Sequence, residues 1–313
     1  MRKILYLFFI ISISFIQLDA QCACCAGAGS GSSNGNYCNG ILSLKKRQII
    51  AEANYDYRRI KEGDQVVPMD SIVEGETALK SIGIASIGLR YGINEKISLS
   101  ASLPYAFLHT EKGNDKGVGD LVLLGNYNLL SRNNFKLAVQ AGIELPTGIQ
   151  KGSNFDQTTV VVGSGSFDPI AGILFVKSWN KLSIQGNALY KQTTSGFDNN
   201  YYGSISIQNL IMAYRLKGET SFCNSNDKDK ITRSEFGWSV FGGYSGEWLD
   251  KITEDDIVDE DSGYYLGLLA LGTSLSYHDW SFPLSISLPI FQKLNGDQNE
   301  SAYRMRIGVI KLF

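Results

Sequence analysis

Residues 97–103 read ISLSASL, and residues 280–288 read WSFPLSISL. Apolar and hydroxyl side chains alternate in both stretches, and successive side chains of a β-strand point to opposite faces. Each stretch therefore predicts a strand with one apolar and one polar face. From Arg47 onward this unit recurs, in runs of about ten residues that end in turn residues. About twelve strands are predicted, at residues 47–57, 79–91, 95–108, 119–130, 134–145, 168–178, 181–192, 202–216, 232–245, 264–276, 279–290 and 302–313.

The two faces differ in a way that favours a transmembrane barrel over a soluble β-sandwich. Aromatic residues stand near the segment ends of the apolar face, as in the interfacial girdles of outer-membrane barrels: Tyr55, Tyr57, Tyr91, Tyr105, Tyr127, Tyr190, Trp238, Tyr244 and Tyr303. The polar face carries long charged side chains, which a dry sandwich core could not desolvate cheaply. We predict that these residues line the lumen: Glu52, Arg58, Lys80, Arg90, Lys136, Glu144, Arg304 and Arg306.

The connections between the predicted strands alternate in length. Short ones fall at residues 92–94, 131–133, 179–180 and 277–278, and long ones at 58–78, 109–118, 146–167, 193–201, 246–263 and 291–301. Barrels of the outer membrane have short periplasmic turns and long outer loops. The fold prediction is an all-β, antiparallel, up-and-down transmembrane barrel with both termini in the periplasm. One connection, 217–231, breaks the pattern because it should be short and is long.

The first twenty residues predict a signal peptide. Arg2 and Lys3 precede the apolar run 4–16, and Ala20 closes a small-residue cleavage pattern. Gln21 is a poor residue before a lipidated cysteine, so we expect the mature chain to begin at Gln21 rather than as a lipoprotein at Cys22. No later stretch approaches about 18 consecutive apolar residues, which excludes a helical membrane protein. We therefore expect the outer membrane of a Gram-negative-type bacterium.

The last strand carries a second predicted targeting signal. Residues 303–313 read YRMRIGVIKLF, and alternate positions counted back from Phe313 are mostly apolar as far as Tyr303. This pattern resembles the C-terminal signal that the barrel-assembly machinery recognises, so we expect that machinery and outer-membrane lipid as partners. Lys311 departs from the pattern, at a depth where its ammonium could reach the interface. The net charge of -2 argues against a nucleic-acid partner.

Three short motifs carry a family resemblance. They are SLPY at residues 102–105, GVGDL at 117–121 and ELPTG at 144–148. Together they resemble the outer-membrane family associated with the phenol meta-degradation pathway, whose members are similar in outline to fatty-acid-transporter-like barrels. The resemblance covers mainly residues 79–180. It implies a barrel and a role in transport.

Four cysteines fall in a Gly/Ser-rich segment directly after the predicted cleavage site: Cys22, Cys24, Cys25 and Cys38. Residues 21–46 show no hydrophobic pattern, which predicts a periplasmic arm that is disordered alone. The thiols have two open fates, namely disulfides in an oxidising periplasm or a site for Cu(I) or Zn(II). Cys223 lies in the anomalous connection and would be on the same side of the membrane.

Other candidate sites have ordinary explanations. His109 and His278 could act as general bases only if they met, and the predicted topology puts them at opposite ends of the barrel, so we expect no enzyme. The acidic segment 246–263 could attract divalent cations or a cationic solute, but a charge run is usually solvated. A calcium loop starting at Asn224 is rejected because Lys228 and Asp229 occupy positions that need a ligand and a glycine.

These observations divide the chain into a signal peptide at 1–20, a Cys-rich arm at 21–46 and a barrel at 47–313. The predicted function is passive passage of a small solute whose identity the sequence leaves open, with a hydrophobic compound and a thiophilic metal as candidates. No cofactor is expected unless the arm cysteines bind copper or zinc. We expect no energy-coupled receptor, since no plug-sized domain precedes the barrel. The alternative is a structural or binding barrel whose arm holds a metal or a periplasmic partner.

Overall fold

The protein is described by a computed structural model that covers residues 44–61, 79–110, 113–132, 134–148, 163–196, 199–218, 236–254, 256–296 and 298–313. No helix in these ranges is long and apolar enough to cross a membrane. The described chain is all β. Its strands are β1 (Ile49–Ile60), β2 (Leu79–Gly92), β3 (Ile97–Thr110), β4 (Asn114–Val118), β5 (Leu121–Arg132), β6 (Phe135–Leu145), β7 (Asp168–Trp179), β8 (Leu182–Lys191), β9 (Ile205–Lys217), β10 (Gly237–Leu249), β11 (Thr253–Glu254), β12 (Ile257–Val258), β13 (Tyr264–Tyr277), β14 (Trp280–Leu294) and β15 (Ser301–Leu312).

The long strands close into one antiparallel barrel. Each pairs with the next in chain order, and β1 pairs with β15 from Ile50↔Leu312 to Ile60↔Ser301, which joins the two ends of the sheet. The ring holds twelve strands, with β4 continuing β5 and with β11 and β12 forming a separate small hairpin. This confirms the predicted fold class and strand number.

The loop predicted at residues 109–118 is mostly strand, contrary to expectation. The hairpin of β3 and β4 pairs His109 with Asn114 and Tyr105 with Val118. The β5 pairing resumes at Ser102↔Val122, so β4 and β5 form one strand interrupted by a bulge at residues 119–120. Apolar and polar residues do not alternate in 114–117, because a hairpin outside the lipid needs no apolar face. For that reason the alternation pattern did not predict β4.

The two ends of the barrel differ as predicted. We call the end that holds Leu44 and Phe313 the terminal end, and the opposite end the loop end. Within the described residues the terminal end has short turns at 93–96, 180–181 and 278–279, and the loop end has the longer connections apart from the hairpin of β3 and β4. Asn180 and His278 adopt positive φ angles of 41° and 51° in two-residue turns, a conformation that suits the twist of a hairpin. Residues 219–235 of the anomalous connection lie outside the described ranges.

Burial is inverted relative to a soluble protein. Leu99 is 50% exposed on the outer face whereas its neighbour Ser98 is 6% exposed inside, and Ile286 is 43% exposed whereas Ser285 is 9% exposed. Exposed or half-buried apolar residues cover the outer face of the long strands, which is the surface that lipid would contact. Lys311 lies on this face, with its Nζ atom 4.7 Å from the Trp280 ring centre and 4.6 Å from that of Phe313. These cation–π contacts stabilise a lysine at a position where the C-terminal pattern has apolar residues.

The interior is less polar than the alternation in residues 97–103 suggests. Apolar residues also face inward and are buried there, in small clusters such as Ile82, Ile84 and Leu108 or Ile205, Ile207 and Leu249. At the terminal end Leu44, which the sequence assigns to the arm, packs against Ile50 and Ile310. A barrel of this strand number has a bore that inward side chains can fill. The interior therefore contains both packed apolar clusters and polar groups.

We predict that lipid contact separates the two faces of β9 energetically. Leu210 is exposed at mid-strand, and Asn209 beside it faces inward. Leu210→Arg should cost about 2–4 kcal/mol of folding free energy in lipid vesicles, because a guanidinium enters hydrocarbon. Asn209→Arg should cost clearly less, since its side chain stays in the polar interior. Urea titration of both variants measures this, and equal costs would contradict a lipid-facing Leu210.

Candidate functional site: a charged network across the barrel

Five charged side chains form one network inside the barrel, which we call the arginine network: Asp56 and Arg58 on β1, Arg304 and Arg306 on β15, and Glu247 on β10. The Nη2 atom of Arg304 donates to Oε2 of Glu247 at 3.0 Å, and Nη1 of Arg58 donates to Oε1 at 3.4 Å. Asp56 accepts from Nε of Arg58 at 3.3 Å and is also bonded by Arg306. Each carboxylate is thus shared between arginines.

The network crosses the interior rather than following one strand pair. In the ring, β13 and β14 stand between β10 and β15. These two strands present small side chains to the interior where Ala270 pairs with Ser287, next to Arg304. The serine face of β14, which helped to predict the fold, therefore leaves room for arginine and glutamate side chains to meet across it.

The network is almost fully buried and carries a net charge. Side-chain exposure is 2% for Asp56, 5% for Glu247 and 7% for Arg304. Three guanidinium groups face two carboxylates, which leaves one unit of positive charge. The hydroxyl of Tyr264 donates to Oε1 of Glu247 at 2.5 Å and completes its hydrogen bonding. Glu247 was predicted to belong to an acidic outer loop. That was wrong, because β10 continues to Leu249 and turns Glu247 inward.

A cleft opens from the network toward the loop end. The walls of this small cleft combine Arg58, Arg304 and Tyr264 with apolar Ile60 and Leu266.

The cleft lies where the pairing of two strands ends. The ladder between β14 and β15 stops at Ser287↔Arg304. Beyond it the Gln292 amide bridges to the main chain of Ser301, accepting from its N–H at 2.8 Å and donating to its carbonyl at 3.1 Å. A side chain thus replaces strand pairing next to the cleft.

A second charged group lies on the opposite wall, at the loop end of β6, β7 and β8. The Nζ atom of Lys191 is 2.7 Å from Oε1 of Glu144 and 3.6 Å from Oδ2 of Asp168, and all three side chains are buried. The sequence prediction named Glu144 but neither of its partners. Lys191 is the last residue of β8 and Asp168 is the first residue of β7. At strand ends the alternation pattern does not predict which way a side chain faces.

Asp120, in the bulge between β4 and β5, fastens the connection between β6 and β7. Its Oδ1 atom accepts from the Gly148 N–H at 2.7 Å, and Oδ2 accepts from the N–H and hydroxyl of Ser164 at 2.6 and 2.8 Å. The Gly148 and Gly163 backbones cross so closely that a Cβ atom on either would lie 2.7 Å from the other's Cα. Two of the three motifs behind the family resemblance therefore meet at one structural junction.

The remaining predicted lumen residues are inside or near the inside of the barrel. Glu52, Arg90 and Lys136 share the inward phase of their strands, and Arg90 and Lys136 are buried. Lys80 is half-buried beside the irregular start of β2. That these side chains contact a passing solute stays a prediction. The cysteines Cys22, Cys24, Cys25, Cys38 and Cys223 lie outside the described residues, as do the metal and disulfide hypotheses that rest on them.

The two histidines are separated as expected. His109 is the last but one residue of β3, at the loop end, and is hydrogen-bonded to Asn114, whereas His278 lies in a turn at the terminal end. In the acidic segment, Lys251 pairs with Glu260, and Asp259 accepts the N–H of Asp261 at 3.0 Å. The described part of the chain contains no group of three residues arranged to hold a metal ion.

Solved structures similar to this chain are membrane barrels. An outer membrane channel from Pseudomonas putida F1 matches with a TM-score of 0.62 and 14% identity, over 90% of this chain and 99% of that one. The chain has the fold of an outer-membrane β-barrel. The NanC porin matches with a TM-score of 0.46 and 10% identity, over 83% of this chain and 98% of its own. The translocator domain of autotransporter NalP from Neisseria meningitidis gives 0.41 and 12%, over 92% of each chain.

The likeness of this barrel to the Pseudomonas channel is one of fold. No family model matches the chain, and no curated protein matches it in sequence.

We predict that Asp120 holds the β6–β7 connection of this barrel in place. Asp120→Asn should weaken the anchorage by about 1–3 kcal/mol, because an amide cannot accept all three bonds. Trypsin should then cleave after Lys151 faster than in the wild type, while heat-modifiable gel migration stays normal. Asp279→Asn, in a turn at the terminal end, is the control. Unchanged cleavage in Asp120→Asn would show that the junction does not restrain the loop.

Proposed function

We propose that this protein is a passive outer-membrane channel for a small solute and that the arginine network forms its constriction. The observation that supports the proposal is the crossing from β1 and β15 to β10 through the barrel interior. A solute that moves along the barrel beside β13 and β14 would pass these side chains or displace them. Selectivity would then follow from the width and charge of this constriction.

A purely structural role explains the network less well. Removing charges from water is costly, and replacing a buried ion pair by apolar residues of similar size is often neutral or stabilising. The interior elsewhere uses such apolar packing, for example in the cluster of Ala138, Leu174 and Val176. Ionisable groups within a membrane protein generally mark a pathway or a ligand site. The cleft beside Arg58 and Arg304 supports the same conclusion, because it gives the network an opening at the loop end.

The charged interior also bears on the cargo. The family resemblance favours a hydrophobic compound, and the arm cysteines favour a thiophilic metal. An uncharged hydrophobic solute would have to separate Arg304 from Glu247 without replacing their hydrogen bonds. A solute with polar or charged groups could replace them. The interior therefore favours a hydrophilic solute over an uncharged hydrophobic compound.

We propose transport without bond chemistry. The histidines considered as general bases are at opposite ends of the barrel, and each has a structural role in a hairpin. The charged side chains of the network are bonded to one another. This arrangement suits a selectivity filter better than a catalytic site that needs a nucleophile.

The decisive experiment is single-channel recording in planar lipid bilayers. The wild-type protein should conduct, and Glu247→Gln should raise the conductance about twofold or more, because it breaks the bonds to Arg58 and Arg304 that cross the interior. The same change should increase anion selectivity, since the network gains net positive charge.

Glu300→Gln is the matched control for this experiment. Glu300 forms an exposed pair with Lys61 at 2.6 Å, so its replacement removes the same charge outside the constriction. Its conductance should equal that of the wild type. A wild-type protein that inserts and does not conduct, or a Glu247→Gln variant that behaves like Glu300→Gln, would refute the proposed function.

A further inference from the structure

We propose that the guanidinium of Arg90 is a binding subsite for a small monovalent oxyanion, of the carboxylate type, inside the terminal half of the barrel. This inference rests on the proposed channel function and names the class of solute. Arg90 lies on the inner face of β2, near its terminal end.

Arg90 has hydrogen-bonding capacity that the described residues do not use. It is 6% exposed, and neither its Nε nor its Nη1 atom has a hydrogen-bond partner. A guanidinium offers five N–H donors in a planar fork, and buried donors without acceptors are both costly and rare. The fork matches the paired oxygen atoms of a carboxylate or phosphate. The observation therefore calls for an acceptor with oxygen atoms at this position.

Small polar residues of β3 stand on one side of Arg90, and the buried Ile50 of β1 stands on the other. Arg90 pairs across the ladder with Ser100, and Ser98, two residues earlier on β3, pairs with Asn126 on β5. The Asn126 side chain is also buried, and its Oδ1 atom has no partner within the described structure. Because an amide can be turned to present its N–H₂ group, Asn126 can supply a second donor to the same ligand. Leu124, which pairs with Ser100, is buried beside Asn126 on the same face.

The charge balance favours one negative charge on the ligand. Arg90 interacts electrostatically with Glu52. The Glu52 carboxylate folds over Gly88, where a Cβ atom would lie 2.8 Å from its Oε1 atom. Since Glu52 already offsets part of the guanidinium charge, a dianion would meet more repulsion than a monoanion. A carboxylate therefore suits the site better than divalent phosphate.

Arg90 extends a series of guanidinium groups along one wall. Ile50, its partner on β1, lies six residues before Asp56 of the arginine network. At the rise of a strand this places Arg90 about 20 Å further toward the terminal end. The cleft, the network and Arg90 lie on the adjacent strands β15, β1 and β2. An anion that enters at Arg58 and Arg304 would find its next binding site at Arg90.

Anion block of chloride current tests the subsite. In planar bilayers with potassium chloride, added acetate should reduce the wild-type single-channel current, and inorganic phosphate at neutral pH should do so less effectively. Arg90→Gln should raise the half-blocking concentration of acetate about tenfold, which corresponds to about 1.4 kcal/mol of binding free energy. Arg90→Lys should fall between the two, because it keeps the charge and loses the fork. Arg132→Gln, at an exposed position of the same end, should match the wild type.

A second measurement locates the anion without relying on conduction. Crystals soaked in perrhenate, a monovalent oxyanion with strong anomalous scattering, should show an anomalous peak within hydrogen-bond distance of the Arg90 guanidinium. A channel that conducts with acetate block unchanged in Arg90→Gln would overturn the subsite and leave the channel proposal standing. Perrhenate at Arg90 in a protein that does not conduct would refute the channel and keep the binding site. Density for water alone at Arg90, or stronger block by phosphate, would contradict the inference.

Discussion

Closure of the backbone ladder is the constraint on which the rest of this structure depends. Hydrocarbon offers no hydrogen bonds to a peptide group, so a sheet that crosses a membrane has to pair its first strand with its last. Here β1 and β15 satisfy that requirement along nearly their whole length. The outer face can then be apolar, because lipid rather than water surrounds it.

Closure at twelve strands also determines what the interior can do. The bore is narrow enough for long side chains from non-adjacent strands to meet, and the small residues on β13 and β14 let them do so. Charged groups in such a space need partners, since an unpaired buried ion is expensive. The arginine network meets that need among its own members. Such sharing leaves it responsive to a solute, because a ligand with suitable oxygen atoms can take over some of the bonds.

The sequence predicts the barrel well because a strand's two faces are read directly from alternation. Residues 97–103 and 280–288 place Leu99 and Ile286 outside and the serines inside, and the same phase assigns Arg58, Arg304 and Arg306 to the interior. It could also have identified Asp56, which stands in phase with Arg58 on β1. The strand end at Glu247 was misjudged because glutamate next to an acidic segment resembles a loop residue.

Contacts across the bore could not be predicted in this way. Arg304 and Glu247 are 57 residues apart, and their meeting depends on the stagger of all the strands between them. The alternation pattern did not predict the bulge at residues 119–120. Its glycine and aspartate nevertheless belong to one of the motifs that carry the family resemblance. Motif residues that do not fit the strand pattern were therefore a better guide to this junction than periodicity.

The central claim is that Arg304 and Glu247 act together to span the passage. A double-mutant cycle on single-channel conductance tests it most directly, using Arg304→Gln, Glu247→Gln and the double variant. If the two side chains form one constriction, the second substitution should change the conductance much less than it does alone, since the first has already broken the crossing. Conductance changes that simply multiply in the double variant would show that the residues act independently and would contradict the account.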